Sequence, residues 1–380
     1  MRYYIIAGEA SGDLHASNLM REIRAMDPSA LFRCWGGDLM EAQGGELVKH
    51  YRELAFMGFM EVVAHLPQIL GNLSKCEDDL LAFRPDAVIL VDYPGFNLRM
   101  ARFATRHGLT VFYYISPQVW AWKSSRVKII RKNVNRMYVI LPFEEEFYRR
   151  YDYPVEFVGH PLLDVIPGNT RPPESDDFRR RHNLDHRPLV ALLPGSRRME
   201  IRKMAEIMVS VSEDFPGYQF VVAGAPSLPG SFYQELLSGT NVRFVLNQTY
   251  DLLRHSIAAL VTSGTATLET ALWNVPQVVC YRGNWLSYQI ARQLVNIPFI
   301  SLVNLIAGKQ VVTELIQEEL TRENLRAELI KILTEETFRA SVLQGYSELT
   351  VRLGGPGASV RTAKSMVQFL MKSQTKSTTA

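Results

Sequence analysis

Tyr3-Tyr4-Ile5-Ile6-Ala7-Gly8-Glu9-Ala10-Ser11-Gly12-Asp13 reads as a short aromatic and β-branched strand that breaks into small residues and leads directly into an amphipathic stretch, 14–26. Strand, glycine turn and helix in that order open a βαβ unit. The alternation recurs. Strand candidates follow at 31–35, 87–92, 110–115, 137–141 and 155–158, with a helix at 100–107. The stretch 167–188 then carries four prolines beside Asp176, Asp177 and Arg179, and such a segment buries little. A second series follows, with strands at 189–193, 219–223, 243–246, 259–262 and 277–281 and helices at 200–211, 325–333 and 359–371.

The expected fold is therefore α/β, with two Rossmann-like, doubly wound domains. The first spans 1–166, and 167–187 is a linker. A second domain spans 188–345. A helical segment, 346–372, is placed to return to the first domain, and 373–380 is a frayed tail. No fixed-period repeat relates the halves. Two such domains facing each other place a ligand cleft at the carboxyl ends of both sheets.

Bulk properties agree with a globular chain. Of 380 residues, 47% are apolar and 21% charged, which excludes a disordered protein. The net charge of +3 is too mild for a nucleic-acid binder and compatible with weak attraction to an anionic membrane. Cys34, Cys76 and Cys280 are scattered, arguing against disulfides and zinc and for a reducing cytoplasm. The first apolar run is too short for a signal sequence, and no run approaches the ~18 residues of a spanning helix. Membrane contact is then expected to be peripheral.

Several junctions carry candidate chemistry. Gly8–Asp13 is not G-x-G-x-x-G, so no dinucleotide fingerprint is present. It is either a tight turn capped by Asp13 or a ligand loop in which Glu9 sits at the sheet's carboxyl edge. Asp92, at the tip of the third strand, is either a turn residue or a general base at the switch-point crevice. The run 113–123 sets Trp120, Trp122 and Lys123 after a strand. These residues suit a sugar, an acyl chain and a phosphate, or simply a core. In the second half, Gly195, Ser196 and Arg197 form a strand-to-helix loop suited to a diphosphate, and Ser263, Gly264, Thr265, Thr267 and Glu269 form another. Glu269 is placed for ribose hydroxyls.

Two constellations read as bland. His182 and His186 have i,i+4 spacing but lie in an arginine-rich linker without a glutamate base, and Glu144, Glu145 and Glu146 read as a helix N-terminal turn balancing Arg149 and Arg150. The stripe Phe59, Val62, Val63, Leu66, Ile69, Leu70 and Leu73 has helical spacing. It is either a core helix or an interfacial one, with Val62, Leu66 and Ile69 facing lipid.

Taken together, 8–13, 92–97, 116–122, 159–162, 193–197, 263–269 and 301–308 resemble the lipid-A-disaccharide synthase family, in order, from residue 8 to about 319. The resemblance implies GT-B architecture, with 1–166 facing acceptor and membrane and 188–345 binding the UDP-sugar donor, bacterial lipid A biosynthesis and peripheral attachment to the cytoplasmic face of the inner membrane. It also implies inverting, metal-free and cofactor-free transfer of 2,3-diacylglucosamine from UDP to 2,3-diacylglucosamine 1-phosphate (lipid X), forming a β-1,6 link. By position it puts the family's first-loop glutamate at Glu9, its arginine at Arg197 and its asparagine at Asn304. The chain departs from the family's D-x-P-D-F-N pattern. Gly95 replaces the second aspartate, which leaves Asp92 or Glu9 as base. A UDP-sugar epimerase and a non-catalytic UDP-sugar-binding protein are the competing readings. A homodimer stays open.

Overall fold

The computed structural model describes residues 1–54, 66–122, 124–166, 177–283 and 298–378. The chain forms two compact units, Met1–Asp164 with Leu353–Ala380, and Val165–Arg352.

In the first unit the strands are β1 (Arg2–Ala7), β2 (Leu31–Gly36), β3 (Gly45–His50), β4 (Ala87–Val91), β5 (Thr110–Tyr114), β6 (Arg136–Val139) and β7 (Glu156–Phe157). They pair in parallel in the order β3-β2-β1-β4-β5-β6-β7. The chain order reverses between β1 and β4, which makes that crevice the switch point. β4 is buried along its whole length, as its unbroken run Ala87-Val88-Ile89-Leu90-Val91 requires of a strand covered on both faces. One face packs Tyr4, Trp35, Leu90 and Met100, and the other packs Tyr3, Ile5, Leu19 and Phe112.

That second face is completed by Ala363, Met366, Val367 and Leu370 of the last helix, Ala358–Thr378. Its start is pinned by Asp164, whose Oδ1 accepts from the amides of Gly357 at 2.6 Å and Ala358 at 3.2 Å and whose Oδ2 accepts from Ser359 at 2.9 Å. The Gly159-His160-Pro161 turn meets the returning segment here, as the His160 amide donates to the Leu353 carbonyl at 3.0 Å. Gly159 has φ +83°, and a Cβ would meet Arg361 Nη2 at 2.6 Å, so only glycine fits.

The second unit holds β8 (Leu189–Leu193), β9 (Gln219–Gly224), β10 (Arg243–Leu246), β11 (Ser256–Thr262), β12 (Gln277–Tyr281) and β13 (Thr313–Ile316). These are parallel, in the order β10-β9-β8-β11-β12-β13, with the switch point between β8 and β11.

Three details differ from the sequence expectation. Residues 177–187, read as linker, pack into the second unit, burying Phe178 and Leu184 against Leu189 and Val221. The Glu336–Arg352 helix stays with the second unit, so the return begins at Leu353 rather than at 346. The last helix runs to Thr378, through most of the supposed tail.

Candidate active site

β1 and β4 end side by side at the first switch point, and each delivers a carboxylate. Glu9 follows β1 at the N-cap of the Ala10–Met26 helix, where its side chain does not cap. Asp92 follows β4 with φ +44°, and Tyr93 continues at +48°. Two consecutive left-handed residues without glycine are costly and persist only where the surroundings hold them. Here Asn97 does so. Its Nδ2 donates to the carbonyls of Ile6 at 3.3 Å, Val91 at 3.2 Å and Asp92 at 2.8 Å, tying the ends of both strands together. The Tyr113 hydroxyl donates to the Asp92 carbonyl at 2.6 Å. Burial, with the charge of Glu9 second, pushes the Asp92 carboxyl up to about 7, against the opposing pull of the Tyr93 amide. A carboxyl poised near neutrality in such a crevice is suited to proton transfer.

Gly8 serves this geometry. A Cβ there would collide with the Tyr93 ring, so the residue is small for an internal neighbour. Asp13, expected as a cap of its own turn, instead accepts from the amides of Gly37 at 2.8 Å, Leu39 at 3.1 Å and Met40 at 3.1 Å, anchoring the Asp38–Ala42 helix. Gly95 lies exposed in the first turn of the Pro94–Arg106 helix, and a Cβ there meets nothing within 4 Å. Packing does not impose the missing acid.

β5 also leaves through a left-handed residue, Ile115 at φ +65°, an outlier for a β-branched side chain. The buried Ser116 hydroxyl meets the Tyr148 hydroxyl at 2.7 Å, and Trp120 packs edge-on against Phe143 at 4.9 Å. Glu144 stands in a helix N-terminal turn, as read from sequence, and within it is 1% exposed and accepts from the amides of Ile140 at 3.2 Å and Leu141 at 2.9 Å. Burial pushes it up to about 7. Its neighbour Glu146 pairs with Arg150 at 2.7 Å on the surface. Trp122's side chain, Lys123, Val62 and the side chain of Leu66 lie outside the described residues, while Ile69 is half-buried, Leu70 is 52% exposed and Leu73 is buried. The histidine pair does not share a helix, because the Asp177–Arg181 helix ends before His182 and Asn183 turns left-handed.

In the second unit, Gly195 (φ +111°) and Ser196 lead into Arg197, the N-cap of the Arg198–Ser210 helix. The Ser196 amide donates to Glu200 Oε2 at 3.2 Å, so a carboxylate of the same helix sits on the loop's backbone donor. Across the switch point, Gly264 (φ +153°) caps the Thr265–Leu272 helix without a side-chain bond, and Gly264 and Thr265 are exposed. Glu269 accepts from the Tyr250 hydroxyl at 2.9 Å, and burial raises its carboxyl above the usual range.

Three residues expected to hold the donor make hydrogen bonds within the scaffold. Ser263 Oγ donates to the Ile300 carbonyl at 2.9 Å, and the buried Thr267 hydroxyl donates to the Gly264 carbonyl at 2.8 Å. Asn304 is fully buried. Its Nδ2 donates to Val312 O at 2.9 Å and Glu314 Oε1 at 2.8 Å, and its Oδ1 accepts from the amides of Val311 and Val312 at 2.7 and 3.0 Å. All its polar capacity is satisfied within the unit. Tyr250, Glu200 and Glu314 were missed from sequence. Glu314 accepts from the Ile300 and Ser301 amides, the Ser301 hydroxyl and Asn304.

Two parallel-sheet units, each with glycine or acid loops at its switch point, define a GT-B-type protein. Solved structures agree at the level of fold. The Neisseria meningitidis UDP-GlcNAc 2-epimerase bound to UDP-GlcNAc superposes with TM-score 0.65 at 13% identity, covering 98% of this chain and 100% of that one. The glycotransferase of kitacinnamycin gives 0.64 at 14%, covering 97% and 98%. Sequence decides the family. Residues 3–364 match lipid-A-disaccharide synthetase, and the lipid-A-disaccharide synthase of Myxococcus xanthus (strain DK1622) is 40% identical over 376 residues, 97% of each chain. The chain belongs to the lipid-A-disaccharide synthase family, and it is an enzyme, a glycosyltransferase of lipid A biosynthesis. The family match favours transfer over epimerisation, since the epimerase likeness concerns fold alone.

Proposed function

We propose that the enzyme condenses UDP-2,3-diacylglucosamine with lipid X to give the β-1,6 disaccharide 1-phosphate and UDP, with inversion and without a metal or cofactor. The observation that carries this is the Glu9–Asp92 pair at the first switch point, a carboxyl held near neutrality where an acceptor hydroxyl needs a base. Asp92 takes the proton of the 6-hydroxyl as that oxygen bonds to the donor's anomeric carbon, and the bond from that carbon to the diphosphate breaks. Charge on the departing UDP is met by Arg197, the amides of Gly195 and Ser196, and those of Gly264 and Thr265 at a helix start. Glu269, turned by Tyr250, accepts from the ribose. On this reading the second unit holds the donor and the first the lipid acceptor, with Trp120, Trp122 and Lys123 beside it.

Among the described residues no helix is long and apolar enough to cross a membrane, and no three His, Cys, Asp or Glu side chains converge as metal ligands. Work at the cytoplasmic face of the inner membrane, through Val62, Leu66 and Ile69, is part of this proposal. Proton NMR of the product tests it, in reactions run with and without EDTA. A β-anomeric signal at undiminished yield supports the reading. An α-linkage, or loss of turnover restored by magnesium, contradicts it.

A further inference from the structure

Glu144 and Tyr148 stand one turn apart on the Glu144–Arg149 helix and are its two buried residues, while Glu145, Glu146 and Arg149 are exposed. Spacing of i, i+4 sets both on one face of the helix. That face meets the segment leaving β5. Val91 pairs with Tyr114, and the Asp92 amide donates to the Tyr114 carbonyl at 3.1 Å, so residues 115–120 leave the sheet directly beside Asp92. The buried Ser116 hydroxyl meets the Tyr148 hydroxyl at 2.7 Å and donates to the Pro117 carbonyl at 3.0 Å. Phe143, the N-cap of the same helix, packs edge-on against half-buried Trp120.

The Glu144 carboxylate sits at the centre of these contacts. The Ile140 and Leu141 amides both donate to its Oε2, which ties the exit of β6 to the helix. The Ser116 hydroxyl and the Trp120 indole N–H lie close enough to favour the ionised form. Among the described residues Trp120 Nε1 is buried with no hydrogen bond of ordinary geometry, so Glu144 is the charge it answers to. A glutamate in a first turn gains its dipole interaction at the surface, where Glu145 and Glu146 remain. Burying one adds a desolvation penalty that a helix start does not require. Helix capping alone therefore does not account for Glu144.

We propose that Glu144 and Tyr148 are positioning residues of the transfer reaction, holding residues 116–120 so that Trp120 presents a fixed aromatic face to the acceptor sugar. The proposal rests on the reading of Trp120 as an acceptor contact. Neither residue touches the reacting atoms, and both act through Ser116 and Trp120. Residues 116–118 belong to no strand or helix, so side-chain bonds to this neighbouring helix hold their course. Loosening the segment weakens contacts with the acceptor in the ground state and the transition state alike, a loss that shows in KM rather than in kcat.

The test is steady-state kinetics with the UDP-sugar and lipid X varied separately, beside fluorine NMR of the full-length protein labelled with fluorotryptophan. The Trp120 signal is assigned by its loss in Trp120→Phe. Glu144→Gln keeps one oxygen for the Ile140 and Leu141 amides and turns an amide NH2 toward Ser116 and Trp120. It is expected to shift the Trp120 resonance and to raise the lipid X KM about tenfold, the factor carried by one charge-assisted hydrogen bond. Tyr148→Phe removes the hydroxyl that meets Ser116, and is expected to shift the same resonance and raise that KM about threefold. The UDP-sugar KM and kcat are expected to stay at wild-type values in both. Should Glu144→Gln not fold, Tyr148→Phe decides alone. An unmoved Trp120 resonance with an unaltered lipid X KM overturns the proposal, as does an equal rise in both KM values. A shifted resonance with an unaltered lipid X KM leaves the hold on Trp120 standing and counts against its acceptor role alone. Failure of wild type to release UDP counts against the transferase reading, and the resonance still decides whether the pair holds Trp120.

Discussion

Glu9 and Asp92 end adjacent parallel strands at the point where the first sheet reverses its order, and the charge of Glu9 helps lift the Asp92 carboxyl to about 7. A base must be ionised to act, so activity is expected to fall as pH drops through this value. Glu9→Gln removes the like charge and is expected to shift the acid limb of the pH–rate profile downward. Asp92→Asn is expected to cost ~10²–10⁴ in rate and to abolish the limb. An unmoved limb in Glu9→Gln would separate the two residues.

The same shift makes a stability prediction. A carboxyl whose folded pKa lies above its unfolded value favours folding below the unfolded value, and that benefit is lost as pH rises through the folded one. Asp92 is thus a liability to stability above pH 7, one that the proposed role as base would explain. Asp92→Asn should raise the melting temperature most at pH 8, less at pH 5, and leave it unchanged only below the unfolded value of about 3.9.

Glu200 occupies the Ser196 amide, a donor that the proposed diphosphate needs. Glu200→Gln weakens the competing acceptor and removes a negative charge from the loop. UDP affinity by calorimetry is expected to rise about fivefold, ~1 kcal/mol for a partly exposed charge. Weaker binding would mean that Glu200 shapes the loop for its ligand. Arg197→Ala is expected to lower turnover about a hundredfold or more with unaltered melting, the loss typical of a charge-stabilising donor.

His15 and His160 are buried and held neutral, at about 4 and about 3, by burial first. Asp164 partly offsets this for His15, and His15 adds to it for His160. Both sit in the first unit beside the docked last helix. Their folded values lie below the unfolded value near 6.5, so the stability they contribute is full above that pH and is lost as pH falls toward 4. Urea unfolding between pH 7 and 4 should show this decline, flattened in His15→Gln.

The central strands were readable because double burial demands unbroken apolar runs, as in Ala87–Val91 and Leu189–Leu193. β3 and β13 were not. Both are edge strands, and Glu46 and Glu314 interrupt their apolar signal. The two glycine loops and Asp92 were legible because turn chemistry is local. The helix start at Glu144 was legible, but nothing in three successive glutamates tells which one the fold will bury. The scaffold contacts of Asn304, Ser263 and Gly8 were hidden for a related reason. Their partners, Val312 and Glu314, Ile300, and Tyr93, lie 8 to 85 residues along the chain. Residue type announces a polar or small group, and only packing decides whether ligand or scaffold claims it.

UDP release from UDP-2,3-diacylglucosamine, measured with and without lipid X, tests the central claim most directly. Release that requires lipid X and matches disaccharide formed, mole for mole, is the predicted result. Release at the same rate without lipid X, or conversion to a new UDP-sugar with no free UDP, would contradict it.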